Sequence, residues 1–477
     1  MREYFNADFE TKKEIRKKVL KLLEEYSQYN TKLKDYNPFD MLKSYDFFDS
    51  EIMFGIDSFD IVIMNPPYFQ LTGKHKYLHY FEKGKNKTAD IYQLFMETAL
   101  NKLLSQIGVV SAVVSNKWMR AGYGERTREF LYNNCYVFEI IDLGANWFES
   151  AIVETSIINY RKLLNKENKL ENIKSYKINL CNNIEVNKIS SEEFFIYAKD
   201  YINSWFMSNE KENSILNKII KYGKPLKEWN IIMYRGILTG FNDAFIIDEN
   251  KKNELIKKDI KSKDIIFPIV RGKDLKPYEI EFKNKYLIAT YPSKNIDINE
   301  YSAIKEYLKS FGKRLEQSGE IGCRKKTNNK WFELQDATAY YKEFEKEKVF
   351  CKAIGFNLAF TIAEKDLIIS APSSFFISNM NKYFVGILNS KLIKYFIYKY
   401  SDRTGAGDIM LNVQSLEKIP IPEPNKSTLK EIEDLVEKII ENKKEGKDTE
   451  EDERDIDKIV YTLYDLTIEE INIVENI

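Results

Sequence analysis

The sequence predicts an α/β fold: a short, incomplete doubly wound sheet, then an α+β region, then a helical hairpin. Three observations carry this. The run Phe59-Asp60-Ile61-Val62-Ile63-Met64 is apolar and β-branched, and it stops at Asn65-Pro66-Pro67-Tyr68, the pattern of a buried strand reaching a sheet edge. Between residues 89 and 160 strand-like apolar runs alternate with amphipathic helical stretches, the rhythm of a parallel sheet with crossovers. From Ile231 short strands and turns replace that rhythm, and two helical stripes close the chain.

The elements follow in order. Residues 3 to 35 form a charged helix, with Ile15, Val19, Leu22 and Leu23 as a narrow apolar stripe. Asn37-Pro38 ends it. Ser44 to Asp49 is a loop with buried aromatics. Phe59 to Met64 is the strand. Two prolines after it remove two backbone donors, and Asn65, preceding a proline, is pushed into extended geometry. In an open α/β sheet that edge is where ligands bind. The tip offers the Asn65 amide oxygen, the Pro66 carbonyl and the flat face of Tyr68. Two acceptors beside a ring suit an exocyclic amine on a planar base, and they stabilise charge that develops only in the transition state. Such a base must leave the duplex stack, and a tyrosine face offsets part of that cost.

A polar stretch follows to Thr88, then an amphipathic helix from Ala89 to Leu104. Gly108 to Ser115 is a second buried strand, Gly122 to Leu131 a helix, Phe138 to Leu143 a third strand and Thr155 to Tyr160 a fourth. Residues 162 to 228, rich in Lys, Asn and Glu, read as a connecting region with some helix. Leu392 to Tyr400 is helical. Pro420-Ile421-Pro422-Glu423-Pro424 reads as a stiff extended linker. Leu429, Ile432, Val436 and Ile439, then Ile456, Ile459, Leu463 and Leu466, mark the closing helices.

Composition sets bounds. The 477 residues allow two to four domains. Basic and acidic residues number 73 each, so any nucleic-acid footprint must come from segregated charge rather than excess. Four cysteines, at 135, 181, 323 and 351, form no CxxC pair, which argues against structural zinc and a disulfide framework. His75 and His79 stand four apart, but no glutamate completes a zinc motif. No apolar run approaches the ~18 residues of a membrane span, and the N-terminus lacks an apolar signal core; the expectation is a cytoplasmic chain.

Asp60-Ile61-Val62-Ile63-Met64-Asn65-Pro66-Pro67-Tyr68-Phe69 resembles the catalytic motif of gamma-class adenine-N6 DNA methyltransferases. More closely, the chain resembles the fused type IIG restriction–modification enzymes, which join such a methyltransferase to a TaqI-like C-terminal specificity domain. The resemblance implies methyl transfer from S-adenosylmethionine to the N6 amine of a flipped adenine in double-stranded DNA. It places Asn65, Pro66, Pro67 and Tyr68 in the catalytic motif, with Tyr68 stacking on the base. It puts Asp46 and Phe47 on the adenine of the methyl donor, and Phe148, with Trp147 second, on the opposite face of the target base. Asp90, Ile91, Tyr92, Leu94 and Phe95 resemble the family's next helix. Met233 to Phe245, Pro268 to Leu275 and Gly322 to Gln335 resemble markers of the specificity domain. In the last of these, Arg324, Lys325, Lys326 and Lys330 interleave with Trp331 and are expected on DNA phosphates.

The resulting expectation is an incomplete Rossmann-like methyltransferase sheet, an α+β DNA-recognition domain and a C-terminal helical hairpin. Its divisions are a charged helix at 1–40, the second half of the catalytic domain at 41–165, a connection at 166–228, the recognition domain at 229–424 and the hairpin at 425–477. The first glycine is Gly55, so no glycine-rich donor-binding turn precedes the catalytic strand. Thr404-Gly405-Ala406-Gly407 follows a helical stretch rather than a strand, which disfavours a permuted arrangement. The donor-binding half and the nuclease of the fused enzymes are therefore expected to be absent. The donor-binding half would then lie on a separate chain, or the chain is a relic. The other readings are a non-catalytic DNA-binding specificity subunit and a methyltransferase acting on small molecules or proteins.

Overall fold

The structure is a computed structural model that describes residues 2–30, 33–40, 42–43, 45, 48–72, 88–120, 124–144, 154–164, 173–178, 191–197, 205–403 and 408–476. The chain divides into two compact units, Met1–Asn209 and Glu210–Ile477.

In the first unit, helix α1 (Phe9–Ser27) starts on an Asp8 carboxylate that accepts the Thr11 N–H, a side-chain cap for an otherwise unpaired donor. A seven-stranded sheet follows. Its strands are β1 (Phe59–Met64), β2 (Leu104–Ser115), β3 (Cys135–Gly144), β4 (Thr155–Lys162), β5 (Lys174–Ile178), β6 (Ser191–Tyr197) and β7 (Phe206–Ser208). The order is β1-β2-β4-β3-β5-β6-β7. β1 and β2 run parallel, with Val62 opposite Val110 and Met64 opposite Ala112. β4 is antiparallel to both of its neighbours, β2 and β3. Helix α2 (Ile91–Thr98) and helix α3 (Glu125–Asn134) connect the early strands. The core joins Tyr92, Met96 and Leu100 to Val110, Ala112 and Val114 on β2, and to Ile158 and Tyr160 on β4.

Two expectations change here. β1 was expected to be buried; it is an outer strand among the described residues. Val62 and Met64 pack inward, whereas Ile61 is 66% and Ile63 80% exposed. The region after residue 162 is not merely a connection, because β5, β6 and β7 extend the sheet. Polar side chains do not prevent that, since strand pairing is made by the backbone.

The second unit opens with helix α4 (Glu210–Tyr222). One four-stranded sheet has β8 (Met233–Arg235) beside the strand Ser374–Phe376, then Lys348–Cys351, then Phe360–Ala363. A second has Ile246–Asp248, Lys285–Ile288, Ile266–Val270 and Ile368–Ile369 in that order. Their core includes Phe245, Leu287, Ile304, Leu334, Phe350 and Phe375. A helical layer joins Asn381–Asn389 and Lys391–Tyr400 to Lys426–Lys444, Glu450–Leu463 and Ile468–Glu475. The expected closing hairpin thus gains a third helix. Of its two stripes, Ile432, Val436, Ile439 and Ile456 are fully buried, and Leu429, Ile459, Leu463 and Leu466 are partly buried against the same core.

Pro420–Pro422 is not a linker. It is a buried strand antiparallel to Gly223–Pro225, with Lys224 opposite Ile421. Tyr383 donates to the Pro422 carbonyl at 2.7 Å and Tyr464 to the Pro420 carbonyl at 2.6 Å. Prolines are tolerated because this ladder has only two strands.

Candidate active site

β1 delivers its end residues to the carboxyl edge of the sheet. Asn65 is exposed there, Pro66 is buried, Pro67 is exposed and Tyr68 is half-buried. The Tyr68 hydroxyl lies 2.9 Å from Asn65 Oδ1 and 2.9 Å from the Val113 carbonyl oxygen. Both are acceptors, and the phenol has one proton to share between them. The bond to Val113, 45 residues away on β2, ties the turn after β1 to the neighbouring strand. The bond to Asn65 orients the amide, and Oδ1 keeps a second lone pair for an incoming amine. The Tyr92 ring meets the Tyr68 ring edge-on, with centroids 6.3 Å apart.

Burial, and secondarily the Asp90 carboxylate, push the Tyr68 phenol up to about 12. The group is therefore a neutral donor at any working pH. Burial raises Asp90 to about 6, against opposing backbone hydrogen bonds from Tyr92, Phe69 and Ile91 and the charge of Lys117. Among the described residues, one of the two Asp90 carboxylate oxygens, Oδ1, is buried without a hydrogen-bond partner. Asp90 sits where the strand pair Gln70–Thr72 and Thr88–Asp90 meets the start of α2, and the Ile91 N–H donates to the Phe69 carbonyl at 3.1 Å. A buried carboxylate oxygen left open is costly unless a ligand donor fills it.

The sequence marks Asp90 only as part of a helix. The available signal was an Asp that caps the helix following the tip, ahead of the buried run Ile91, Tyr92 and Met96. The end of β2 adds a second polar group that the sequence did not single out. Asn116 is 7% exposed, and its amide donates to Asp142 at 3.3 Å and to Glu154 at 3.4 Å.

The remaining site expectations divide. Asp46, Phe47, Trp147 and Phe148 lie outside the described residues, as do His75, His79 and the 404–407 glycine cluster. Lys325, Lys326 and Lys330 are exposed. Arg324, expected on a phosphate, instead faces inward at 4% exposure. Its guanidinium donates to the carbonyls of Leu315, Thr239, Glu333 and Trp331 at 2.6–3.1 Å. Burial lowers it to about 10, so it remains charged, and its five donors are already used. Arg324 shapes the loop and is unavailable to DNA.

Acceptors beside an aromatic ring at the carboxyl edge of an α/β sheet define the class, a candidate group-transfer site for a planar amine. Residues 3–148 match the Eco57I restriction-modification methylase family, and residues 267–421 match the TaqI-like C-terminal specificity domain. The chain is 23% identical over 458 residues to the type II methyltransferase M.BstVI of Geobacillus stearothermophilus, covering 88% of this chain and 75% of that protein. It is 27% identical over 236 residues to the type II methyltransferase M.MjaIV of Methanocaldococcus jannaschii, covering 47% of this chain and 76% of that one. Its fold is similar to that of the type IIL restriction-modification enzyme MmeI, solved in complex with DNA, at a TM-score of 0.56 and 12% identity. That likeness covers 87% of this chain and 56% of MmeI, so the chain spans just over half of that enzyme. The chain therefore joins a methylase region of the Eco57I restriction-modification kind to a TaqI-like specificity domain, and is homologous to type II methyltransferases.

Proposed function

We propose that the chain is the catalytic and recognition part of an adenine-specific DNA methyltransferase, methylating the N6 amine of an adenine flipped out of duplex DNA. The observation that carries this reading is the exposed Asn65 amide, oriented by the Tyr68 hydroxyl at the carboxyl edge of β1. Asn65 Oδ1 and the Pro66 carbonyl accept the two amine protons, and the Tyr68 face stacks on the purine. Drawing both protons to acceptors localises the nitrogen lone pair for attack as charge develops. Asp90 Oδ1 fits a site that takes a cationic or amine-bearing ligand, because it is a buried acceptor with no partner among the described residues. S-adenosylmethionine, when bound, supplies an electrophilic methyl group. Asp46 and Phe47 would hold its adenine.

The outer face of β1 supports a further element of this reading. Ile61 and Ile63 are exposed on a strand with one neighbour among the described residues, and such an edge is a template for another strand. We infer that a further strand, from a donor-binding half outside these 477 residues, pairs with β1 and completes the sheet, and that activity needs it. Without that wall the donor is not held in line and effective molarity collapses.

The test supplies duplex DNA and the methyl donor to the chain, with and without candidate partner polypeptides encoded beside it. The digested DNA is then analysed by mass spectrometry. N6-methyladenine formed only with a partner supports both parts. Formation by the chain alone refutes the need for a partner. Methylated cytosine, or a methylated protein or small molecule, refutes the substrate. No methylation with any partner leaves the DNA-binding specificity subunit as the better reading.

A further inference from the structure

An unassigned feature lies in the second unit, in the loop spanning residues 316–327. Ile321 at its tip is 103% exposed. Single exposed apolar side chains are ordinary, but this one is held out by a rigid frame. Gly319 and Gly322 flank it with φ of +78° and +83°, the left-handed region that glycine enters without steric cost. A Cβ placed on Gly322 would meet nothing within 4 Å, so that glycine serves conformation rather than close packing. The Gly319 N–H donates to the Arg324 carbonyl at 3.0 Å and the Arg324 N–H to the Glu316 carbonyl at 2.8 Å. Gln317 accepts from the Thr327 hydroxyl at 2.6 Å and donates to the carbonyls of Lys330 and Glu333 at 3.1 Å each. The buried Arg324 guanidinium, bonded to four carbonyls, locks the base.

The charge around the tip is not neutral. Residues 313–330 hold six basic and two acidic residues; of the six, Arg324 is buried and Lys330 pairs with Glu333 at 3.7 Å. Lys313 pairs with Glu320 at 3.1 Å. Lys325 and Lys326 follow the tip and are exposed. A cationic rim alone would give phosphate attraction. An apolar tip alone would suit a protein surface. A rigid apolar tip inside a cationic rim matches side chains that enter between base steps and unstack them.

We propose that Ile321 is a wedge that inserts between stacked bases of duplex DNA, with Lys325 and Lys326 on the flanking phosphates. The proposal rests on the reading of the chain as a duplex-DNA methyltransferase and deepens it, assigning the specificity domain a deforming contact as well as a reading one. Inserting a side chain costs stacking energy that depends on the base step, so the wedge also favours weakly stacked steps.

The test uses the full chain. Duplexes enriched by the wild-type chain from a random-sequence pool are remade with 2-aminopurine at successive positions, a base whose fluorescence rises on unstacking. Wild type is expected to raise fluorescence severalfold at the flipped target adenine and, separately, at one further step; this second rise reports the wedge. Ile321→Ala should lose most of that rise while its duplex affinity stays within about threefold. Ile321→Phe should restore it. Lys325→Ala/Lys326→Ala should weaken binding and flatten the slope of log affinity against log salt by about two. Ile321 is fully exposed, so loss of folding does not confuse the result. An undiminished second rise with Ile321→Ala, alongside lysine-dependent binding, overturns the wedge and leaves the DNA reading intact. Failure to enrich any duplex overturns both, and would leave the tip as a protein-docking residue.

Discussion

Tyr68 has two separable roles at the end of β1, as a ring and as a hydroxyl. Tyr68→Phe keeps the ring face and removes the bonds to Asn65 and Val113. We expect methyl-transfer kcat to fall about tenfold, the scale of one modest hydrogen bond. Tyr68→Ala should fall about a further tenfold to a hundredfold, because base stacking contributes on the order of 1–3 kcal/mol. Steady-state kinetics on duplex DNA separate the two; equal losses would deny the ring a role. Asp90 gives a pH signature. Its folded value, about 6, lies above the ordinary carboxylate value. The protonated form is therefore favoured by folding, and that contribution is complete below about pH 4 and lost as pH rises through about 6. Asp90→Asn should raise stability near pH 7.5 by on the order of 1 kcal/mol, after discounting for solvent screening of a part-exposed group. The gain should vanish below pH 4, as thermal melts across pH would read. The same variant should slow methyl transfer if Oδ1 receives a ligand donor. Of these residues the sequence reveals the Asn-Pro-Pro-Tyr tip through its punctuation. It hides Asp90 because a capping aspartate looks the same whether or not one of its oxygens is left buried and unfilled. It misassigns Arg324 because a basic loop residue carries no mark of the four carbonyls that fold around it.

At the level of elements, strands β1 to β4 are legible because each is an apolar run bounded by turns. β5 to β7 are not, since Lys- and Glu-rich segments such as Lys174–Ile178 and Ser191–Tyr197 join the sheet through backbone pairing. Pro420–Pro422 is misread because prolines signal a linker. Its central residue, Ile421, is fully buried, and Ile421→Ala should cost about 2–4 kcal/mol in denaturant unfolding. The edge strand makes the opposite prediction. Ile63→Lys lies on an exposed face and should change the stability of the chain alone by no more than about 0.5 kcal/mol. It should nevertheless block rescue by a partner that pairs with β1, measured as methylation after mixing. Normal rescue would mean that the partner docks elsewhere.

For the whole molecule, the zero net charge gives no sign of a nucleic-acid partner, and segregation supplies it instead, as around Ile321. The two units have separate cores. A fragment of residues 210–477 should fold, bind duplex DNA with a steep salt dependence, and transfer no methyl group. The division into units at residue 209 was not legible, because the polar strands before it disguise the end of the first sheet. The account stands on the Asn65 amide taking part in the transfer step. The most direct measurement is the single-turnover rate of methyl transfer by the complemented enzyme, wild type against Asn65→Ala, with duplex affinity measured in parallel. The rate should fall about a hundredfold to a thousandfold, the scale of one lost transition-state contact, while affinity stays within about threefold. A rate within about threefold of wild type would contradict the assignment of this sheet edge as the catalytic centre.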